Sequence, residues 1–443
     1  MKGTRNHRRP GVASKVAYVF LGLFVVGLLV LCWTFPKESL PNHAPSAPNA
    51  PKQFPLPHDQ PALAVPESSL RSRLPKEVVP RPNPATAPIA AKVAQPPSSS
   101  APSGGTTLGL DTLLLIICAH RPDYLQRTLA AVQQHHPQGQ VPILISQDGM
   151  DAKVSGIIKA SLSLMQTQNP GLSLQHKQHP SGRYTNGYFA LAAHYKWALD
   201  EAFRAPSIKR VIILEEDLVI APDFFEMLAA NKDILDSDPS LMGVSAWNDN
   251  GQTTAVKDNK QMYRSDFFPG LGWMLTRTVW EELSPKWPEA YWDDWLREPK
   301  NRKDRQFLRP EVCRTLHIGQ RGVSNAQYSA YLTSTLLNSD FVPFTTMDLG
   351  YLQKDRWERE FLEQVRAATP LSIADAKSSK SQSRDIRVAY DSLEGGGSSF
   401  AVLAAWAGAM NNVKAGVPRT AFRGIVSLWR GDTKVHLVPS SFQ

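Results

Sequence analysis

Two short stretches of the 443-residue chain concentrate side chains able to do chemistry. The first is Glu215-Glu216-Asp217, three acids at the end of the apolar run Val211-Ile212-Ile213-Leu214. The second is Tyr291-Trp292-Asp293-Asp294-Trp295, two acids set among three aromatic rings. Crowded carboxylates repel one another and resist ionisation without a counter-charge. A divalent cation bridging a phosphorylated ligand is the natural one. Aromatic faces beside acids suit a sugar, with CH groups on the rings and hydroxyls on the carboxylates. Each stretch also has a plainer reading. Taken alone, the first is better read as a strand running into a polar turn. The second competes with a buried aromatic cluster whose acids face solvent. A third stretch, Gly319-Gln320-Arg321-Gly322-Val323-Ser324, is a Gly/Arg loop fit either to close over an anion or to serve as an exposed connection.

The elements that must position these residues alternate. Val211–Leu214, three of its four residues β-branched, reads as a strand buried on both faces. Its acids then fall just past the C-terminal end, where open α/β sheets take ligands. Thr112–Ile117 is a predicted strand followed by Cys118-Ala119-His120-Arg121-Pro122-Asp123, where Asp123 can cap a helix carrying Leu125, Leu129 and Val132. Val141–Ser146 is the next strand and ends in Gln147-Asp148-Gly149. Helices are predicted over 157–165, over 189–203 with His194 and Trp197, and from Phe224. This alternation predicts a doubly wound α/β sheet. No Gly-x-Gly-x-x-Gly follows the first strand and no Walker A motif occurs, which disfavours classical dinucleotide and P-loop sites. From Ile386 a strand, a helix and a hairpin turning at Arg430-Gly431-Asp432 predict a small C-terminal α+β subdomain (386–443), joined to the main α/β domain (108–368) by a linker (369–385).

The N-terminal hundred residues differ in kind. Residues 1–15 are basic and predict a cytoplasmic tail. Residues 16–35 run apolar without a charge, about the length of a transmembrane anchor. No small-x-small cleavage site follows, so a retained anchor is expected over a signal peptide, in type II orientation with the bulk of the chain lumenal. Residues 36–107, rich in Pro, Ala and Ser, predict a disordered stem. The formal net charge of +9 sits largely in this region, and no nucleic-acid motif accompanies it, so no nucleic-acid partner is expected. Three cysteines, one of them Cys32 in the apolar run, allow at most one disulfide in the rest and exclude a disulfide scaffold.

Several stretches together resemble the N-acetylglucosaminyltransferase I family (glycosyltransferase family 13). They are Ser146-Gln147-Asp148, His194 to Leu199, Ala221 to Glu226, Val244 to Gly251, Asp266 to Trp273, Trp292 to Trp295, Arg309-Pro310-Glu311, Gly322-Val323-Ser324 and Gly416-Val417-Pro418-Arg419. The resemblance implies a GT-A type nucleotide-sugar-binding sheet, UDP-N-acetylglucosamine (UDP-GlcNAc) as donor, Mn2+ as cofactor, inversion at the anomeric carbon, a high-mannose N-glycan as acceptor, and a Golgi membrane location. Carried over by position, Arg121 and Asp148 hold the uridine end of the donor, Leu191 and His194 lie near the uracil, and Glu215 contacts the donor sugar. Asp217 is the metal ligand, Asp293 the catalytic base, Trp292 lies beside the sugar, and Ser324 contacts the diphosphate as a lid closes. The family's Glu-Asp-Asp is here Glu-Glu-Asp: Glu216, counted with the donor-binding set, moves its charge one methylene outward. Ala119 and Gly149 stand where relatives have cysteines, so that disulfide is lost as a pair. Transfer to a protein O-linked mannose, and a binding protein without turnover, are the competing expectations.

Overall fold

The computed structural model describes residues 107–137, 139–180, 186–319, 329–378 and 383–442, all within the compact unit Pro97–Gln443. The expected tail and anchor, the stem up to residue 106, and Ser324 lie outside the described residues. Among the described residues no helix is long and apolar enough to cross a membrane.

The run preceding the three acids forms β4 (Arg210–Glu215), whose first five residues are all buried. Alongside it lie β1 (Thr112–Cys118), β2 (Ile143–Asp148) and β3 (Leu174–His179), all parallel, in the order β3-β2-β1-β4. Parallel strands end together. The C-terminal ends of β1, β2 and β4 therefore bring Arg121, Asp148 and Glu215–Asp217 to one edge of the sheet. Helices α1 (Pro122–His135), α2 (Ala152–Gln168) and α3 (Gly187–Ala202) connect these strands. Asp123 does not cap α1 as expected. Pro122 supplies the first turn and Arg121 the N-cap position, which leaves Asp123 inside the helix.

The sheet is mixed rather than doubly wound throughout. Beyond β4 it continues as β8 (Trp273–Thr276), β6 (Leu241–Ser245), β9 (Gln306–Pro310) and β7 (Met262–Ser265). Strand β8 is antiparallel to both β4 and β6. Its N-terminal end thus meets the C-terminal end of β4, and Gly270-Leu271-Gly272 approaches the acids. Gly272 has φ +90°, and a Cβ there would stand 2.6 Å from Thr315 Cγ2, so the turn is restricted to glycine on both counts. A short strand β5 (Leu218–Ile220) follows the acids and pairs antiparallel with β10 (Thr315–His317).

Helix α4 (Phe224–Ser237) leaves this ribbon beside Asp223. Asp223 is fully buried with Arg314, whose Nη2 donates to its Oδ2 at 3.0 Å, and Asn338 Nδ2 donates to its Oδ1 at 2.9 Å. Removing one partner of such a pair strands a buried charge. Asp223→Ala is expected to lower unfolding free energy by roughly 3–5 kcal/mol, checked by denaturant titration; a loss below about 1 kcal/mol would mean that Arg314 finds another anion.

The C-terminal region forms its own sheet, in the order β11 (Thr369–Leu371), β12 (Asp385–Tyr390), β16 (Thr433–Pro439) and β15 (Val426–Arg430). The expected hairpin is β15–β16, turning at Gly431 with φ +57°. Part of the segment expected as linker, residues 369–371, is an edge strand of this sheet, where Pro370 is tolerated. Helix α5 (Phe400–Ala407) covers it, and a two-strand turn, β13 (Val413–Lys414) with β14 (Val417–Pro418), reaches back toward the main sheet.

Candidate active site

A cavity of about 980 Å³ opens at this sheet edge. Of the ten residues singled out from the sequence, nine line it: Arg121, Asp148, Leu191, His194, Glu215, Glu216, Asp217, Trp292 and Asp293. The tenth, Ser324, is outside the described residues.

The acids carry their own counter-charges. Arg121 donates from Nε to Glu216 Oε1 at 2.5 Å and pairs through Nη1 with Asp217 Oδ2 at 2.7 Å. Glu216 also accepts the backbone N–H of Ala119 through Oε2 at 2.7 Å. Its extra methylene thus reaches the loop after β1 and ties Arg121 in place. Both of its oxygens are engaged, and the side chain acts first as a brace for that loop. His317, on β10, stands 3.3 Å from Asp217 Oδ2. Burial pushes the Asp217 carboxyl up, but His317 and Arg121 outweigh it and hold it below its usual range. For His317 burial lowers the value, and Asp217 more than restores it. Among the described residues Glu215 has no such cation in contact. Burial and then the charge of Asp217 push it up to about 7, against a lowering effect of the Tyr195 hydroxyl, which donates to Oε1 at 2.7 Å.

The nucleobase end expected from the resemblance is built from α3 and the strand ends. His194 Nε2 lies 2.7 Å from Ser146 Oγ, and its ring stacks against His179 at 5.4 Å. His179, at the end of β3, pairs through Nδ1 with Asp148 Oδ1 at 2.8 Å. Burial pulls the His194 pKa down to about 4, so it is neutral where an unfolded histidine is half protonated. Because the unfolded chain then binds the extra proton, this group's contribution to stability is present above about pH 6.5 and is lost as pH falls toward 4. The loss is on the order of 3 kcal/mol. His194→Gln is expected to flatten that part of the stability–pH curve, measured by urea melts from pH 4 to 7; an unchanged slope would assign it to other groups.

Trp292, Asp293 and Asp294 lie on α6 (Trp292–Arg297), which starts after Tyr291 in a left-handed conformation, φ +51°. Trp292 is buried and stacks on Tyr195 at 4.3 Å and Trp273 at 6.2 Å. The rings thus form a buried aromatic cluster, and the acids beside it remain half exposed at 45% and 42%. Arg297, one helical turn on, donates to Asp293 Oδ2 and Asp294 Oδ1, both at 2.8 Å. Lys414, on β13, pairs with Asp294 Oδ2 at 3.0 Å.

Sequence reasoning missed His317, Tyr195, Arg297 and Lys414. Arg297 had a local signal, the i,i+4 spacing to Asp293. Tyr195 sits beside His194 in a stretch already singled out. His317 and Lys414 come from distant segments and carry no local mark.

Whether a metal fits is testable on Asp217. Its Oδ1 is buried and has no partner among the described residues, although Oδ2 has two. A Cβ at Gly319 would stand 2.3 Å from Oδ2, so only glycine lets the backbone pass this close to the carboxylate. Among the described residues no cluster of three ligating side chains exists. The site therefore fits a hard divalent cation taking one protein oxygen and filling its shell from phosphate and water.

An α/β fold with a central mixed sheet, acids at the strand ends and an aromatic–carboxylate wall across one cavity defines a glycosyltransferase-like protein. The chain belongs to the GNT-I family, whose model matches residues 94–442. It is 43% identical over 318 residues to the alpha-1,3-mannosyl-glycoprotein 2-beta-N-acetylglucosaminyltransferase of Arabidopsis thaliana, covering 71% of this chain and 70% of that one. Among solved structures it is similar to the mannosyltransferase PcManGT from Pyrobaculum calidifontis in complex with GDP-Man and Mn2+, at 13% identity and a TM-score of 0.29, covering 63% of this chain and 68% of that one. It is also similar to TarS of S. aureus, at 12% identity and a TM-score of 0.32, covering 47% and 37%. Scores this low bear on neither mechanism nor substrate.

Proposed function

We propose that the protein is an inverting N-acetylglucosaminyltransferase that moves N-acetylglucosamine from UDP-GlcNAc to the 2-hydroxyl of the α1,3-linked mannose of a high-mannose N-glycan. The observation that carries this is the placement, in a member of the GNT-I family, of Asp217 and Asp293 on the walls of one cavity.

Arg121, Asp148, Leu191 and His194 would hold the uridine, Glu215 and Trp292 the donor sugar, and Glu216 would brace Arg121. Ser324 is assigned to the diphosphate by resemblance alone. Asp217 would hold a divalent cation, Mn2+ by resemblance, which when bound offsets the charge that develops on the leaving diphosphate. Arg121 adds a fixed cation beside it. Asp293 would take the proton of the acceptor hydroxyl as that oxygen attacks the anomeric carbon from the face opposite the diphosphate. Arg297 fixes the carboxylate by one oxygen. The other is left to point at the acceptor. Residues 1–15, 16–35 and 36–107 are proposed as tail, anchor and stem of a type II Golgi protein.

The test is transfer. Residues from about 106 onward, incubated with UDP-GlcNAc, Mn2+ and a five-mannose N-glycan, should add one N-acetylhexosamine to the glycan and lose that activity with chelator. Transfer to an O-mannosyl peptide but not to the glycan would move the protein to the O-mannose enzyme. Donor binding with no transfer to either would leave a binding protein.

A further inference from the structure

We propose that Asp249 and Gln252, on the loop after β6, form the subsite that grips the hydroxyls of the acceptor's mannosyl unit; this rests on the transferase reading above. Both residues line the same cavity as Asp217 and Asp293, yet neither is part of the strand-end acid cluster or of α6. Each is only 5% exposed. Asp249 accepts from Arg419 Nη1 at 2.5 Å through Oδ1, while its Oδ2 is buried and has no partner among the described residues. Gln252 donates from Nε2 to the Asp249 carbonyl at 2.8 Å, while its Oε1 is likewise without one. Two buried acceptor oxygens left open are rare in a folded protein and call for a donor.

The chemistry of that donor is narrow. Two acceptors, one of them an anion, repel a phosphate and cannot serve a carboxylate. They suit a neutral polyol that donates two hydroxyl protons. The residues are also held in place. Gln252 forms a backbone bridge with Thr335. Asn250, between them, accepts the Met410 N–H at 2.9 Å and donates to Thr420 Oγ1 at 3.0 Å. The guanidinium of Arg419 lies 5.0 Å from the Phe267 ring centroid, and that of Arg297, which holds Asp293, lies 4.8 Å from the same centroid. One buried ring therefore keeps the hydroxyl-binding pair in register with the base.

The test uses the active chain and two variants, Gln252→Met, which keeps length and loses the acceptor, and Asp249→Asn, which turns the open acceptor into a donor. Acceptor kinetics are measured on the five-mannose glycan and on analogues with single hydroxyls of the accepting mannose replaced by hydrogen. Donor affinity by calorimetry reports whether the fold is intact. The expected result is a fall in acceptor kcat/KM of about tenfold for Gln252→Met and about 10–100-fold for Asp249→Asn, with donor affinity retained. One deoxy analogue that penalises wild type should carry no further penalty in Gln252→Met. If every analogue costs the variant what it costs wild type, or if donor affinity falls instead of acceptor affinity, the subsite is wrong. Wild type that transfers to no mannosyl acceptor sinks the transferase reading, and this proposal with it.

Discussion

Asp293→Asn is expected to leave a folded protein that binds its donor and no longer transfers. Asparagine keeps the shape of aspartate and still accepts from Arg297, so that guanidinium retains Asp294 and the new amide oxygen as partners. What it loses is the ability to take a proton. Removing a positioned general base costs about 10²–10⁴-fold in rate. The fall should be in kcat, because nothing on the donor's side of the cavity changes. Product formation by mass and donor affinity by calorimetry separate the two effects. A variant working within tenfold of wild type would move the role elsewhere. Asp294 is the first place to look, but Lys414 and Arg297 already hold it and pull its carboxyl below the usual range despite burial. That makes it the poorer base.

Asp217→Asn should fail at an earlier step. The substitution removes the negative charge that Arg121 and His317 share and replaces an anionic ligand with a neutral one. Charge stabilisation of a leaving group is typically worth about 10²–10³-fold when one contributor is removed. The distinguishing measurement is binding. Wild type should take up UDP-GlcNAc more tightly with Mn2+ than without it, and the variant should show the same weak affinity in both. Equal metal dependence in the two proteins would mean that the cation is held without Asp217, and the proposed ligand would be wrong. The contrast between the variants is informative in itself, since one should separate chemistry from binding and the other metal from nucleotide.

The parts of this site legible in the sequence were those written locally. A strand buried on both faces leaves a continuous apolar run, so β4 and its acids could be found, and β1 and β2 with them. Strand β3, Leu174–His179, is a polar edge strand with no hydrophobic alternation, so neither it nor His179 stood out. The mixed half of the sheet was hidden for a different reason. Chain order runs from β6 out to β7 and back to β8, which inserts between β4 and β6. Such pairing is fixed by packing across the whole domain and has no short-range signature. Glu216 was visible as a departure, yet its consequence was not. Only the backbone of Ala119, ninety-seven residues away, shows what the longer side chain does. His317 reaches Asp217 by the β5–β10 pairing, again a long-range fact.

The turn that carries Lys414 and Arg419 belongs to the last thirty-five residues of the chain, and strand β16, near the very end, is an interior strand of the sheet behind it. The wall opposite the strand-end acids is therefore built by a segment far from them in sequence and backed by a separate sheet. The placement of Lys414 and Arg419 depends on how that second sheet is packed, so a substitution in β12 or β16 reaches the cavity without touching it.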